Sequence, residues 1–242
     1  MDLGRMVRGR QFWLAVLLAA AGIGLGAPWT EVAGREILPC GTFLEMADQS
    51  FASRSVLFLL PVTSALPWGD AYLQERQGNY LRFLVCRRGR RAYCRDKVMT
   101  AALAGPLVWL AALAAAELLF FLLFFGREEV FRWPKETVRQ LLADAGRGAL
   151  IASALSSGAG LCGAAGGSVY LAFGTPFLVF SLLMIFRERY LENLYCMDPS
   201  CWLLGRGYWG EGQRGLWLFL ILLAAALAVL HGAALEWRLK EI

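Results

Sequence analysis

Along the chain, long apolar runs alternate with short, Arg-rich connections. The runs fall at about residues 12–27, 55–71, 98–125, 148–165, 169–186 and 216–235. A bilayer core of about 30 Å takes roughly 20 apolar residues as a helix, so the pattern predicts an all-α, polytopic membrane protein with six transmembrane helices. One transmembrane domain then fills residues 1–242, with no room for a large soluble domain.

The runs differ in ways that matter. The first follows Arg5, Arg8 and Arg10 and ends in Gly-Leu-Gly-Ala-Pro, which also fits the outline of a signal peptide. Because the rest of the chain is itself membrane-embedded, an uncleaved first span is the simpler reading. Pro61 and Pro67 in the second run remove backbone donors and are expected to kink or end that helix. The third run is the longest, is interrupted only by Glu117, and is long enough to tilt. Residues 148–186 are too many for one span, and Gly166-Gly167-Ser168 marks the break expected between two. Within the fourth run, Gly158 and Cys162, Gly160 and Ala164, and Gly163 and Gly167 stand four apart, a spacing that lets helices approach closely in lipid. The sixth run is Leu/Ala-rich and ends in Glu236-Trp237-Arg238-Leu239-Lys240, an interfacial anchor. Two more helices are expected outside the spans: an interfacial one over residues 187–195, before the last span, and a solvated amphipathic one over 127–136 carrying Trp133.

Composition supports the membrane reading. Hydrophobic residues make up 58% of the chain, above the roughly 45–50% of soluble domains, and the mean hydropathy is +0.50. The net charge of +5 is a matter of topology rather than of nucleic-acid binding, because the basic residues cluster at the ends of apolar runs. Six spans place both termini on one side. That side holds 13 Lys and Arg against 11 on the other, with Arg76, Arg82, Arg87, Arg88, Arg90, Arg91, Arg95 and Lys97 in one loop. The termini and this loop are therefore expected in the cytoplasm, and the Arg-dominated, Ala/Leu/Gly-rich composition suits a bacterial plasma membrane.

Candidate chemistry is sparse. The six cysteines form no C-x-x-C pair and the single histidine, His231, lies in an apolar run, so no metal site is expected. Glu117 is the one acidic residue well inside a predicted span. Either it lines a path or a dimer interface, or it sits shallow in a tilted helix. His231 is expected to pack rather than relay protons. Cys196 and Cys201 flank an Asp-Pro turn that would bring their sulfurs together on an oxidising face; free thiols, or pairing of either with Cys40, are the alternatives.

Residues 75–85 have apolar positions three and four apart, and Tyr80, Leu81, Leu84 and Val85 would cover one face of a short helix. A basic turn follows, leading to Cys94-Arg95-Asp96-Lys97 and the third span. From charge alone this is an interfacial loop touching anionic lipid. The same residues resemble the cytoplasmic loop between spans two and three in type 2 permeases of ATP-binding-cassette exporters. The matching positions are Glu75, Gly78, Leu81, Leu84, Arg90, Tyr93 and Lys97. Arg87 stands where many members have Pro, which marks a divergent branch. The motif covers about 25 residues, and the six-span layout resembles the family over most of the chain.

The resemblance implies a coupling helix, with Leu81 and Leu84 on its docked face, seated on a separate ATPase subunit. It also implies pairing with a second permease as a homodimer or heterodimer, and an outer segment that caps the translocation path. No G-x-x-x-x-G-K-[ST] occurs, so ATP and Mg are expected on the partner ATPase and this chain is expected to be non-catalytic, with no cofactor of its own. The substrate class stays open among peptide, antibiotic and lipid-like cargo. An autonomous secondary transporter, or a non-transporting immunity or scaffold protein, remains the alternative.

Overall fold

The computed structural model describes residues 2–32, 38–128, 135–190 and 194–240. These residues are helical almost throughout, and the described residues contain only an isolated parallel bridge, from Leu38 to Glu128, in place of a sheet. The helices are α1 (Asp2–Arg8), α2 (Arg10–Gly26), α3 (Trp29–Val32), α4 (Thr42–Ser50), α5 (Arg54–Ala65) and α6 (Ala71–Gln77). They continue with α7 (Leu81–Arg88), α8 (Arg90–Phe124), α9 (Lys135–Gly166), α10 (Val169–Tyr190), α11 (Pro199–Leu204) and α12 (Arg214–Arg238). Most of the expected helix over 127–136, and residues 191–193 of the expected interfacial helix, lie outside the described residues.

Among the described residues four helices are long and apolar enough to cross a membrane: α8, α9, α10 and α12, the first and last counted with their flanking 3-10 turns. A fifth crossing is available if α1 and α2, bent by 59°, count as one. The architecture is that of a multi-pass helical membrane protein with four to five such helices, not the six expected. The difference lies in the second run. Leu66 keeps helical backbone and donates to the Val62 carbonyl, but Pro67 has no N–H to continue the ladder, so α5 stops at Ala65 after 12 residues, about 18 Å, and the chain continues in turns to α6. Upstream, α4 is amphipathic, with Phe43, Leu44, Met46 and Ala47 buried and Glu45 and Gln49 exposed, and is too short and too polar to be recognised as a span. Yet Phe43 packs on Phe121, Phe51 on Trp109, and Trp68 under Lys97. From Phe43 to Trp68 the chain thus tracks α8 backwards over about 36 Å, in two helices broken at residues 51–53, neither able to cross alone. Ser53 caps the second piece by accepting a hydrogen bond from Val56 N at 3.3 Å.

Helix α9 is the centre of the bundle, packed on α8, α10 and α12. Inward positions on α8 recur every three or four residues: Ala101, Ala104, Val108, Ala112, Ala116 and Phe120. Small residues bring α8 and α9 so close that hydroxyls bond across the seam. Ser156 Oγ donates to the Ala101 carbonyl at 2.7 Å and Ser153 Oγ to the Ala102 carbonyl at 2.8 Å. A Cβ on Gly105 would collide with the backbone carbonyl of Ala152. Outward positions are apolar, with Leu122 71%, Val229 71% and Leu218 59% exposed, as suits a lipid-facing surface.

The expected break at Gly166-Gly167-Ser168 is where α9 gives way to α10, with Gly167 at φ +66° in the turn. Arg238 on α12 reaches the same turn and donates from Nε to the Ala164 carbonyl at 3.1 Å, capping α9. Both described chain ends therefore lie at one end of the bundle, together with α6 and α7.

The small residues of α9 are not equivalent. A Cβ on Gly163 would sit 2.9 Å from the Gly69 carbonyl, and one on Gly160 would strike the His231 ring, whereas the nearest atom to one on Gly158 is 4.0 Å away. Gly163→Val and Gly105→Val are expected to cost about 1–3 kcal/mol each, read as lowered unfolding midpoints in detergent. Gly158→Ala should leave the midpoint unchanged or raise it; an equal loss there would refute this assignment of contacts.

Candidate functional site

The seven residues of the loop motif divide sharply in the structure. Helix α6 ends at Gln77, and the chain reverses through Gly78 and Asn79, the latter at φ +58°. A Cβ on Gly78 would approach the Tyr80 ring at 3.1 Å and the Gln74 carbonyl at 3.2 Å, so the turn needs glycine for space. Helix α7 follows and is separated from α8 by Gly89 at φ +80°, a backbone state that favours glycine.

Glu75, Tyr93 and Lys97, 22 residues apart at the extremes, converge. Glu75 Oε1 accepts from Lys97 Nζ at 2.8 Å, Oε2 accepts from Tyr93 Oη at 2.8 Å, and Arg5 of α1 donates to the same carboxylate. Lys97 is 2% exposed and its ammonium also lies 3.4 Å from Asp2 and 4.6 Å from the Trp68 ring centroid. Arg88 bridges Asp2 at 3.2 Å and Asp96 at 3.6 Å. Five elements are thereby tied together: α1, the Trp68 turn, α6, the end of α7 and the start of α8. Burial raises the Glu75 carboxyl, but Lys97, Arg5 and Tyr93 together outweigh it and hold the group below the ordinary carboxylate range.

Leu81 and Leu84 do not form an outward face. Leu81 is 3% exposed and packs with Tyr72, Leu73, Tyr93, Leu235 and Leu239, and Leu84 lies partly buried on the same cluster. They bind α7 to its own chain. The outward apolar residues are Tyr80, 68% exposed, and Phe83, 70% exposed. Arg90 is exposed and outside the polar network. Asp2, Arg5, Trp68 and Arg88 belong to the site although the motif did not include them. The available signal was a short helix before the first run with Asp2 and Arg5 three apart.

A second polar group sits at the far end of the bundle. Arg147 pairs with Asp144, donates from Nε to the Leu203 carbonyl at 3.0 Å and from Nη1 to Gln213 Oε1 at 2.7 Å. Gln140 Nε2 donates to Asp48 Oδ2 at 3.1 Å. Glu117 lies nearby on α8 with both carboxylate oxygens buried and without a hydrogen-bond partner among the described residues. It is therefore not a solitary acid: Asp48 of α4 lies close enough to act on it electrostatically, and α9, which begins 13 residues before its expected start, brings Asp144 and Arg147 to the same end of the bundle. Twenty residues of helix separate Lys97 from Glu117, about 30 Å, so the two polar groups bracket a hydrocarbon-thick apolar layer.

His231 is 3% exposed and packs on Gly160. The expected Cys196–Cys201 bridge is not made. Asp198 accepts from Ser200 N at 2.9 Å and Pro199 opens α11, so the Asp-Pro unit starts a helix instead of folding the two sulfurs together. Cys201 is buried with its Sγ donating to Asp198 Oδ2 at 3.2 Å, and Cys196 is exposed. Burial, with Asp198 beside it, pushes the Cys201 thiol up to about 11. Among the described residues no three His, Cys, Asp or Glu side chains gather into a metal site.

Comparison with known proteins finds no family model that matches this chain and no curated protein with significant similarity to it.

Removing one member of a buried ion pair strands the other, at a cost of about 3–5 kcal/mol. Lys97→Ala and Lys97→Met should therefore both destabilise by about that much, with Lys97→Ala the worse of the two because it also loses the packing under Trp68. Because the folded-state pKa of Glu75 is depressed, its stabilisation is complete at neutral pH and lost as pH falls below about 4. Glu75→Gln should flatten that acid limb in thermal unfolding from pH 7 to 3.5; an unchanged limb would show that Glu75 is not the group responsible.

Proposed function

We propose that this chain is the membrane-spanning permease subunit of an ATP-binding-cassette exporter, moving substrate outward with ATP hydrolysed, with Mg, on a separate ATPase subunit. The observation that carries the reading is mechanical. Helix α7 presents Tyr80 and Phe83 outward among Arg82, Arg87 and Arg90, while Leu81 beneath it and the Glu75–Tyr93–Lys97 network beside it anchor the α6–α7 segment to α8. An aromatic pair rimmed by cations suits a groove with acidic edges on a partner, and the anchor passes a push on that pair into a membrane helix. The lipid-facing apolar surface and the absence of a phosphate-binding loop in the sequence fit this division of labour. In this reading the chain is non-catalytic, works as a homodimer or with a second permease, and has α7 and both termini in the cytoplasm of a bacterial cell.

A second reading, an autonomous secondary transporter, draws on the far-end group of Asp48, Glu117, Asp144 and Arg147, since intramembrane charges are what ion coupling uses. Co-purification with an ATPase separates the two.

The docking face moves from Leu81 and Leu84 to Tyr80 and Phe83, and the informative substitution moves with it. Phe83→Asp places a charge in a desolvated contact and is expected to weaken ATPase association by about 3 kcal/mol or more, abolishing ATP-driven export at normal expression. Arg91→Ala, an exposed and unpaired position, should cost about 1 kcal/mol or less. Leu84→Asp should instead lower the thermal stability of the isolated chain. An unaffected Phe83→Asp complex would remove the main support for the assignment.

Orientation has its own measurement. An impermeant thiol reagent on intact cells should label the exposed Cys196 and spare Cys86 of α7, while Cys201 stays slow at neutral pH because little thiolate forms. Labelling of Cys86 with Cys196 protected would invert the topology.

A further inference from the structure

At the end of the bundle away from α7, a groove of about 460 Å³ opens between α5, α10 and α11. That size lies within the range of about 300–1,000 Å³ typical of small-molecule sites. Its chemistry is graded along the helices. Leu57, Phe58, Met184 and Ile185 line the part toward the apolar layer, and Arg54, Arg187 and Arg206 stand at the mouth.

The three arginines are not equally committed. Arg187 Nε lies 3.2 Å from Asp198 Oδ2, and Asp198 is in turn occupied in capping α11. Arg54 and Arg206 are exposed, and among the described residues no carboxylate lies within 4.0 Å of either. Glu188 also lines the mouth, which leaves a surplus of positive charge there after Arg187 and Asp198 cancel. Ser181, about one turn further from Arg187 along α10 than Met184 and Ile185, lines the deep end of the groove.

An apolar trough with guanidinium groups at its mouth matches an amphiphile in order: acyl chain toward the apolar layer, anionic headgroup at the mouth. Arginine suits the last part because its planar fork meets phosphate oxygens two at a time. We propose that this groove binds one lipid with an anionic phosphate headgroup, held by Arg54 and Arg206 with its acyl chain along Leu57, Phe58, Met184 and Ile185. The site is a property of this chain alone and does not depend on an ATPase partner.

The full-length chain in detergent can be titrated with phosphatidylglycerol, with phosphatidylcholine of the same acyl chains, and with glycerol 3-phosphate, reading occupancy by native mass spectrometry and the unfolding midpoint. Phosphatidylglycerol is expected to bind about tenfold or more tighter than phosphatidylcholine. Arg54→Gln/Arg206→Gln, both at exposed positions, should erase that preference while leaving phosphatidylcholine binding and the lipid-free midpoint unchanged. Phe58→Ala should weaken both lipids and leave the headgroup preference intact. Three results would overturn the proposal: a preference that survives the double substitution, glycerol 3-phosphate binding as tightly as the lipid, or lipid binding lost whenever the chain dimerises because a second copy fills the groove.

Discussion

A lysine almost wholly removed from solvent, at the point where a long apolar helix begins, sets the terms for everything around it. Taking an ammonium out of water costs several kcal/mol unless charges and hydrogen bonds replace its hydration. Lys97 obtains them from Glu75, Asp2 and the face of Trp68, and Glu75 in turn from Tyr93 and Arg5. None of these partners is a near neighbour in sequence. Satisfying one charge therefore fixes where the N-terminal helix lies, how the chain turns after α5, and where α6 rests against α8. The hydrophobic cluster of Leu73, Leu81, Leu235 and Leu239 closes over the same junction and brings in the end of α12.

Away from that junction, the bundle is held by close approach rather than by charge. Lipid offers no hydrophobic incentive for helices to associate, so small residues and hydroxyl-to-carbonyl bonds across the α8–α9 seam supply the cohesion. The far-end group around Arg147 then does for α9 and α11 what Lys97 does at the other end, joining a span to a loop segment through the Leu203 carbonyl and Gln213. Between the two, the outward side chains of the described helices are mostly apolar, and their backbone is bonded within the helices.

The parts of this arrangement that were legible in the sequence are those encoded locally. The apolar runs that became α8, α10 and α12 carry their own boundaries, and the glycines after α9 announce a turn that only they accommodate easily. The match of Glu75, Tyr93 and Lys97 picked out three residues that do meet. What escaped was encoded between segments. The polar start of α9 reads as a loop because Asp144 and Arg147 are acceptable in a helix at that depth only once they face each other and Gln213. The α4–α5 segment departs from the expected second span for the converse reason. Its apolar half is cut short by Pro67, and its other half is amphipathic, so neither piece has the length or composition by which a span is recognised. The inward turn of Leu81 and Leu84 could not be foreseen from their spacing either, since helical periodicity shows that residues share a face without showing what that face meets.

Gly89 acquires a meaning from its position between two differently anchored pieces. Its left-handed backbone interrupts the helix between α7 and α8, so the two are not one rod, and the firm attachment of this segment to α8 runs through Glu75 on the preceding helix, eight residues inside α8 at Lys97. A load applied to the exposed face of α7 is then delivered as a sideways force at a point about 10 Å from the start of α8, not as thrust along its axis. Helix α8 is some 52 Å long and is held along that length by α9, α2 and α4, so such a force is shared with the helices packed on it instead of bending α8 alone.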